Sequence, residues 1–228
     1  MALVALPHQV RQADAGDYIV KEGDKSSSCH ILLSGFAHRH RISAGGDRHI
    51  LGIQAEGDIL NLPSLPPVPS DDFVQALTPV RTAAVPIDAM LELNSMHPAI
   101  ANALWLEITA EVSVFRAWIS NMGRRDARGR IAHLFCELVM RSHPAGGADG
   151  CMMTLPLTQI ELADATGMTT VHVNRTLRVL EEQGFIRRHR RQITIPDWRR
   201  LTELADFRPT AWASRSDIAL DRPVEMSN

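Results

Sequence analysis

Thr158-Gln159-Ile160-Glu161-Leu162-Ala163-Asp164-Ala165-Thr166-Gly167-Met168-Thr169-Thr170-Val171-His172-Val173-Asn174-Arg175 decides how this chain reads. Thr158 and Glu161 have the spacing of a capping box, in which the threonine hydroxyl accepts from the third helical amide while the glutamate reaches back. The helix so opened is expected from Ile160 to about Ala165. Gly167 ends it, because glycine takes the left-handed backbone of a tight turn without penalty. Thr169 can cap a second helix running to Glu182 or Gln183, with Val173, Leu177 and Leu180 on its inward face. Ala163 is small where the two helices must cross closely. Two capped helices around a turn glycine make a helix-turn-helix.

Behind it, Gly184-Phe185-Ile186 and Ile193-Thr194-Ile195 read as two strands around a basic tip of Arg187, Arg188, Arg190 and Arg191, which adds a wing. Charge points the same way. Residues 169–200 hold 8 arginines against 3 acids, whereas residues 1–96 hold 7 basic against 11 acidic residues in a chain of net charge −2. A basic block on an otherwise acidic chain implies a polyanion for that block alone, and with the helix pair the polyanion is double-stranded DNA.

N-terminal to this lies a change of period. From Pro98 no glycine or proline occurs until Gly123, and Ile100, Leu104, Ile108, Val112, Phe115, Ile119 and Met122 recur at intervals of three and four. Trp105, Leu106, Val114 and Trp118 add a second apolar face. A helix apolar on two sides must bury both. One side can pack on the preceding β zone. The other calls for the same helix of a second chain, with Leu104, Ile108, Phe115 and Ile119 as the expected homodimer interface. Met122-Gly123-Arg124-Arg125-Asp126 reads as a hinge. A further helix carries Ile131, Leu134, Phe135, Leu138 and Val139, and Pro144-Ala145-Gly146-Gly147 ends it.

Residues 8–87 read as β. Runs such as Tyr18-Ile19-Val20, Ile31-Leu32-Leu33 and Ile50-Leu51-Gly52-Ile53 are bounded by glycine turns, a pattern that predicts a sandwich or small barrel. Residues 62–72, with four prolines, read as a loop. At 45% hydrophobic and 22% charged, the 228 residues exclude wholesale disorder and suit one or two domains of roughly 150 residues. No apolar run approaches the ~20 residues of a membrane span, and the N-terminus lacks the basic start of a signal peptide. A soluble, cytoplasmic protein is expected. Cys29, Cys136 and Cys151 are too few for a disulfide framework or a four-cysteine metal site.

Together these features resemble the Crp/Fnr family of bacterial transcription regulators across almost all of residues 8–207. Gly16-Asp17-Tyr18-Ile19-Val20, Glu22-Gly23-Asp24, Leu33-Ser34-Gly35 and Glu56-Gly57-Asp58 look like the turns of its jelly-roll sensor. The helix after Pro98 looks like its dimerisation helix, and the segment from Leu157 to Leu177 like its helix-turn-helix. The resemblance implies an α+β chain: a cyclic-nucleotide-binding-like jelly roll (residues 8–96), a dimerisation helix (97–122), a winged helix-turn-helix domain (123–207) and a flexible tail (208–228). It further implies a homodimer that binds a palindromic operator and works with RNA polymerase, and no enzyme.

Two departures from the family limit what carries over. Cyclic-nucleotide-binding members offer a Glu to the ribose and an Arg-Ser pair to the cyclic phosphate. Here the run is Gly57-Asp58-Ile59-Leu60-Asn61-Leu62, and Asp71-Asp72-Phe73 stand where the Arg-Ser would fall. Two carboxylates repel a phosphate, so cyclic AMP is not the expected signal. The oxygen-sensing members hold an iron–sulfur cluster through several cysteines, which this chain lacks, so the effector stays unidentified. In the recognition helix, the early Arg and Glu of the family are replaced by Thr170 and Val171; only Arg175 matches.

By helical spacing Thr170, Val171, Asn174, Arg175 and Arg178 face outward. Arg can read guanine, Asn adenine, and a Val or Thr methyl thymine, so Thr170, Val171, Asn174 and Arg175 are the candidate base readers. Thr158, Thr169 and His172 at helix ends, with Arg178, Arg188 and Arg190, are the candidate phosphate contacts.

Other functions rest on fewer residues. His38-Arg39-His40 puts two imidazoles on one strand face, as metal-binding cupin enzymes do, but Ala44 and Gly45 stand where the cupin glutamate would follow, and the pair reads instead as surface histidines. A haem or redox sensor would draw on Cys29, His30, His38, His40 and His49. A DNA-independent adaptor is the remaining alternative.

Overall fold

Strands of alternating burial, separated by glycine turns, build the N-terminal half. The computed structural model describes residues 7–61, 68–143 and 146–208; residues 209–228 of the expected tail, the first part of the proline-rich loop, and Pro144 with Ala145 lie outside these. Seven strands come first: β1 (Gln9–Ala13), β2 (Tyr18–Val20), β3 (Ser28–Ser34), β4 (Ala37–Ile42), β5 (Arg48–Gln54), β6 (Phe73–Ala76) and β7 (Val80–Pro86). They form two antiparallel sheets, ordered β1-β7-β3 and β2-β6-β4-β5. Between them lie Val20, Leu32, Ala37, Leu60, Val74, Ala76 and Val80. This is the sandwich the glycine-bounded runs predict.

Three helices follow. α1 (Ile87–Met96) leaves β7 directly, with no side-chain cap, and buries Met90 against Cys29 and Val85. Neither a capping residue nor a long stripe announces it in the sequence. α2 (Pro98–Arg124) has proline in its first turn, where the missing amide costs nothing. It runs through Gly123, so the break falls at Arg125 and Asp126 and is shorter than the expected hinge. Asp126 then caps α3 (Ala127–Ser142), accepting from the Gly129 amide at 2.8 Å.

The remaining elements are β8 (Cys151–Thr154), α4 (Gln159–Thr166), α5 (Thr170–Glu182), β9 (Arg187–His189), β10 (Gln192–Ile195) and α6 (Trp198–Ala205). The wing differs from its expected form in two ways. β9 begins at Arg187, so Arg187 and Arg188 lie in the strand and only Arg190 and Arg191 form the turn, with Arg190 in the left-handed region at φ 56°. β8 joins as an edge strand in the order β8-β10-β9. It adds cross-strand hydrogen bonds and packing that a lone hairpin lacks.

Every residue of α3 from Ile131 to Val139 is buried. The hydrophobic mass around it takes in α4, α5, the wing and α6, and continues through Val114 and Trp118 of α2 to Ile50 and Ile53 of β5. Among the described residues, no helix is long and apolar enough to cross a membrane.

Candidate nucleic-acid interface

α4 and α5 are set by their caps. The Thr158 amide donates to Glu161 Oε2 at 2.6 Å, and the Glu161 amide donates to Thr158 Oγ1 at 3.3 Å, closing the capping box. Gly167 stands at φ 61°, and a Cβ there would collide with the Met122 methyl of α2. Thr169 Oγ1 accepts from the His172 amide at 3.2 Å and starts α5. In both caps the threonine oxygen accepts, which leaves each hydroxyl hydrogen to donate outward.

α5 buries Val173, Thr176, Leu177 and Leu180. Val171, His172, Arg175 and Arg178 are exposed, while Thr170 and Asn174 are half-buried. The Asn174 Nδ2 donates to Gln159 Oε1 of α4 at 2.8 Å, an interhelix bond that spacing alone does not reveal.

The arginine block of the wing divides. Arg188 donates to Glu181 Oε2 through Nε at 3.1 Å and Nη2 at 2.8 Å, and its amide donates to Oε1 at 3.2 Å. These bonds hold the Glu181 carboxyl below its ordinary pKa. Arg191 donates to the carbonyls of Leu155 and Pro156 at 3.2 and 3.0 Å. Arg187 and Arg190 remain exposed. Arg188 is drawn off by Glu181, seven positions earlier, and Arg191 by the carbonyls that precede α4.

This interface is tied to the sandwich. Arg48 Nε of β5 donates to Asp164 Oδ2 of α4 at 2.7 Å. Arg130 gathers three carbonyls: Met122 at the end of α2, Arg125 in the break and Thr166 at the end of α4, at 2.9, 3.1 and 3.2 Å. A guanidinium bound to helical carbonyls favours the negative ends of both helix dipoles. A cleft of about 710 Å³ between β5, α2 and α4 is lined by Leu51, Phe115, Trp118, Ile119 and Met122.

His38 and His40 are not surface residues. They are 0% and 1% exposed, stacked on each other at 4.8 Å between ring centroids, with Phe73 on His40 at 5.1 Å. Burial, reinforced by neighbouring positive charge on Arg48, pushes them down to about 3 and about 4. The five proposed haem ligands each have a different setting. Cys29 Sγ lies 3.1 Å from the Asn61 carbonyl and its thiol is pushed up to about 12 by burial. His30 faces Thr82, His38 faces Gln75, His40 packs on Phe73, and His49 is exposed. No group of three or more His, Cys, Asp or Glu that could hold a metal occurs among the described residues.

In the region where a cyclic nucleotide would be sought, acidic side chains are already paired with basic ones. Asp71 and Asp72 both pair with Arg41, the latter at 2.5 Å, and Asp72 also lies 3.6 Å from Arg39. Arg39 donates to the Leu60 carbonyl at 2.9 Å and meets Glu111 of α2 at 3.5 Å. Arg141 bridges Asp58 and Glu137 at 2.6 and 3.0 Å. A hollow of about 30 Å³ remains beside Glu111 and Arg141, and another of about 210 Å³ is lined by Asp24, Asp71 and Arg39 among others.

Comparison with known proteins agrees with this geometry. Residues 10–97 match the cyclic nucleotide-binding domain family and residues 129–204 the Crp-like helix-turn-helix domain family. The global nitrogen regulator of Synechococcus elongatus is 28% identical over 193 residues, covering 83% of this chain and 86% of that protein. The transcriptional activator FnrL of Cereibacter sphaeroides is 28% identical over 200 residues, covering 86% and 79%. The solved structure of FixK2 from Bradyrhizobium japonicum superposes with a TM-score of 0.78 at 22% identity, covering 90% of this chain and 100% of that one. With a sensor-type sandwich, a long helix and a helix-turn-helix in that order, the chain belongs to the Crp/Fnr family of transcription regulators, whose helix-turn-helix binds DNA. Its named relatives are regulators, not enzymes.

Proposed function

We propose that the chain binds a palindromic double-stranded operator as a homodimer joined along α2, and regulates transcription without catalysing a reaction. The exposed seam on α2 carries this reading. Trp105, Ile108, Val112, Phe115, Ile119 and Met122 follow the alternating three-and-four spacing of coiled-coil core positions. Trp105 and Ile119 are 67% and 73% exposed, which a second copy would relieve. Leu104, Ile108 and Phe115 are half-buried beside them. Ile119→Glu tests the seam, since it leaves the single chain's interior intact but buries a charge in a dimer, at a cost of several kcal/mol. Sedimentation is expected to show monomer, with weakened DNA binding; a dimer of unchanged strength removes α2 from the interface.

On DNA, Thr170, Val171, Asn174 and Arg175 read base edges. Thr158, Thr169, His172, Arg178 and Arg190 hold phosphates, and the donor hydrogens left on the two cap threonines support that role. Arg188 has Nε and Nη2 committed to Glu181, whose carboxylate offsets its charge, so any phosphate contact falls to its remaining N–H groups. The operator's two half-sites lie about one helical turn, roughly 34–36 Å, apart. Such a regulator acts in the cytoplasm with RNA polymerase. Its signal is not cyclic AMP, because Asp71 and Asp72 face Arg41 and Arg39 where a phosphate would need cations of its own. Millimolar cyclic AMP is expected to leave the melting temperature unchanged, whereas a ligand at 100 times its Kd stabilises by about 2.7 kcal/mol. An upward shift overturns the charge argument.

A further inference from the structure

Gln159 opens α4 but takes no part in its cap, which Thr158 and Glu161 close between themselves. Its Oε1 instead accepts from Asn174 Nδ2 on the outward side of α5 at 2.8 Å. An asparagine amide turns about its last torsion in a broad, two-fold well, so left alone it shows oxygen or nitrogen to a base with little preference. The amide has two N–H donors and one carbonyl acceptor. Giving one N–H to Gln159 leaves one donor and the acceptor, which complement N7 and N6 of adenine in the major groove. Turning the Asn174 amide over alone would set its oxygen against Gln159 Oε1, acceptor to acceptor, so the two amides turn only together and Gln159 holds the plane of Asn174 in place.

We propose that Gln159 is a positioning residue for sequence recognition, fixing the Asn174 amide so that it reads adenine. This rests on the reading that Asn174 faces a base. Gln159 itself touches no base; it acts through Asn174 and makes recognition at that position a property of both helices of the motif.

The test is a titration of the full-length protein against a randomised half-site library, with Asn174→Ala, Gln159→Leu, Gln159→Glu and the Gln159→Leu/Asn174→Ala double variant. Asn174→Ala is expected to remove about a tenfold preference for adenine at one base pair, mirrored across the dyad. Gln159→Leu should remove most of that same preference while the guanine preference assigned to Arg175 stays. The double variant should lose no more preference than Asn174→Ala alone. Gln159→Glu can only accept, so it should keep the adenine preference while its added charge weakens all sequences alike. Gln159 is exposed, so the melting temperatures should not change. If Gln159→Leu weakens every sequence equally and leaves adenine preferred, Gln159 is a backbone contact and the proposal is wrong. If Asn174→Ala alters no base preference, base reading at 174 falls and the proposal with it, a pattern distinct from the first.

Discussion

His38 and His40 carry buried Nδ1 atoms without hydrogen-bond partners and sit beside the Arg48 cation. Protonating either ring in the folded chain places a charge in a buried setting, which the Gln75 bond to His38 and the Asp164 and Asp72 carboxylates near His40 only partly offset. In the unfolded chain the same rings titrate near 6.5. Below that pH the unfolded state takes up protons that the folded state refuses until about 4 or about 3. The stabilisation is therefore complete above pH 6.5 and is lost as pH falls, each ring adding up to about 1.4 kcal/mol per pH unit. His133 in α3, lowered to about 4 chiefly by burial, adds to the trend. The melting temperature is expected to fall steadily from pH 6.5 to 4.5, and His38→Gln to flatten the slope. A slope unchanged in His38→Gln would mean that His38 is already charged in the folded state. The sequence shows these histidines flanking an arginine and so suggests solvent. What buries them is cross-strand register, His40 opposite Phe73 and His38 opposite Gln75, which cannot be read until β6 is paired with β4.

At the scale of elements, legibility follows the range of the determining contacts. The helix-turn-helix is evident in the sequence because a capping box, a turn glycine and a second cap all act within four residues. Gly167→Ala is accordingly expected to cost about 1–3 kcal/mol, from its left-handed backbone and the Met122 contact, seen as a lower denaturant midpoint at constant slope. α1, β8 and the carbonyl bonds of Arg191 depend on partners far along the chain, and the Arg188–Glu181 pair on how the chain turns between α5 and β9, so no local pattern marks them. The partition of the wing arginines has its own consequence for binding. Arg175→Ala is expected to cost about 1–3 kcal/mol per half-site and to relax preference at one mirrored base pair. Arg190→Ala should weaken all sequences alike and reduce the log–log salt slope by about 0.9 for each phosphate it no longer neutralises. Uniform weakening by Arg175→Ala would pass its base-reading role to Asn174 or Thr170.

Across the whole molecule, the apolar mass centred on α3 reaches Ile50 and Ile53 of β5, and Arg48 holds Asp164 across the same junction. The sandwich and the DNA-binding half share an interior, so they should lose structure together. Hydrogen exchange of β5 and α5 amides, followed through a denaturant series, is expected to report one coincident transition; two separate midpoints would show that the shared interior is too weak to couple them. Arg141 extends the same coupling to ancestry. Its side chain, 4% exposed, lies in α3 yet answers a carboxylate of the sandwich, Asp58, as well as Glu137, which in turn receives the indole N–H of Trp118 from α2. A genetic crossover between two relatives at the break near residue 125 would inherit Asp58 and Trp118 from one parent and Glu137 and Arg141 from the other. Functional hybrids should therefore arise where both parents keep this quartet, and the unit that recombination can exchange is larger than the domain that its boundaries suggest.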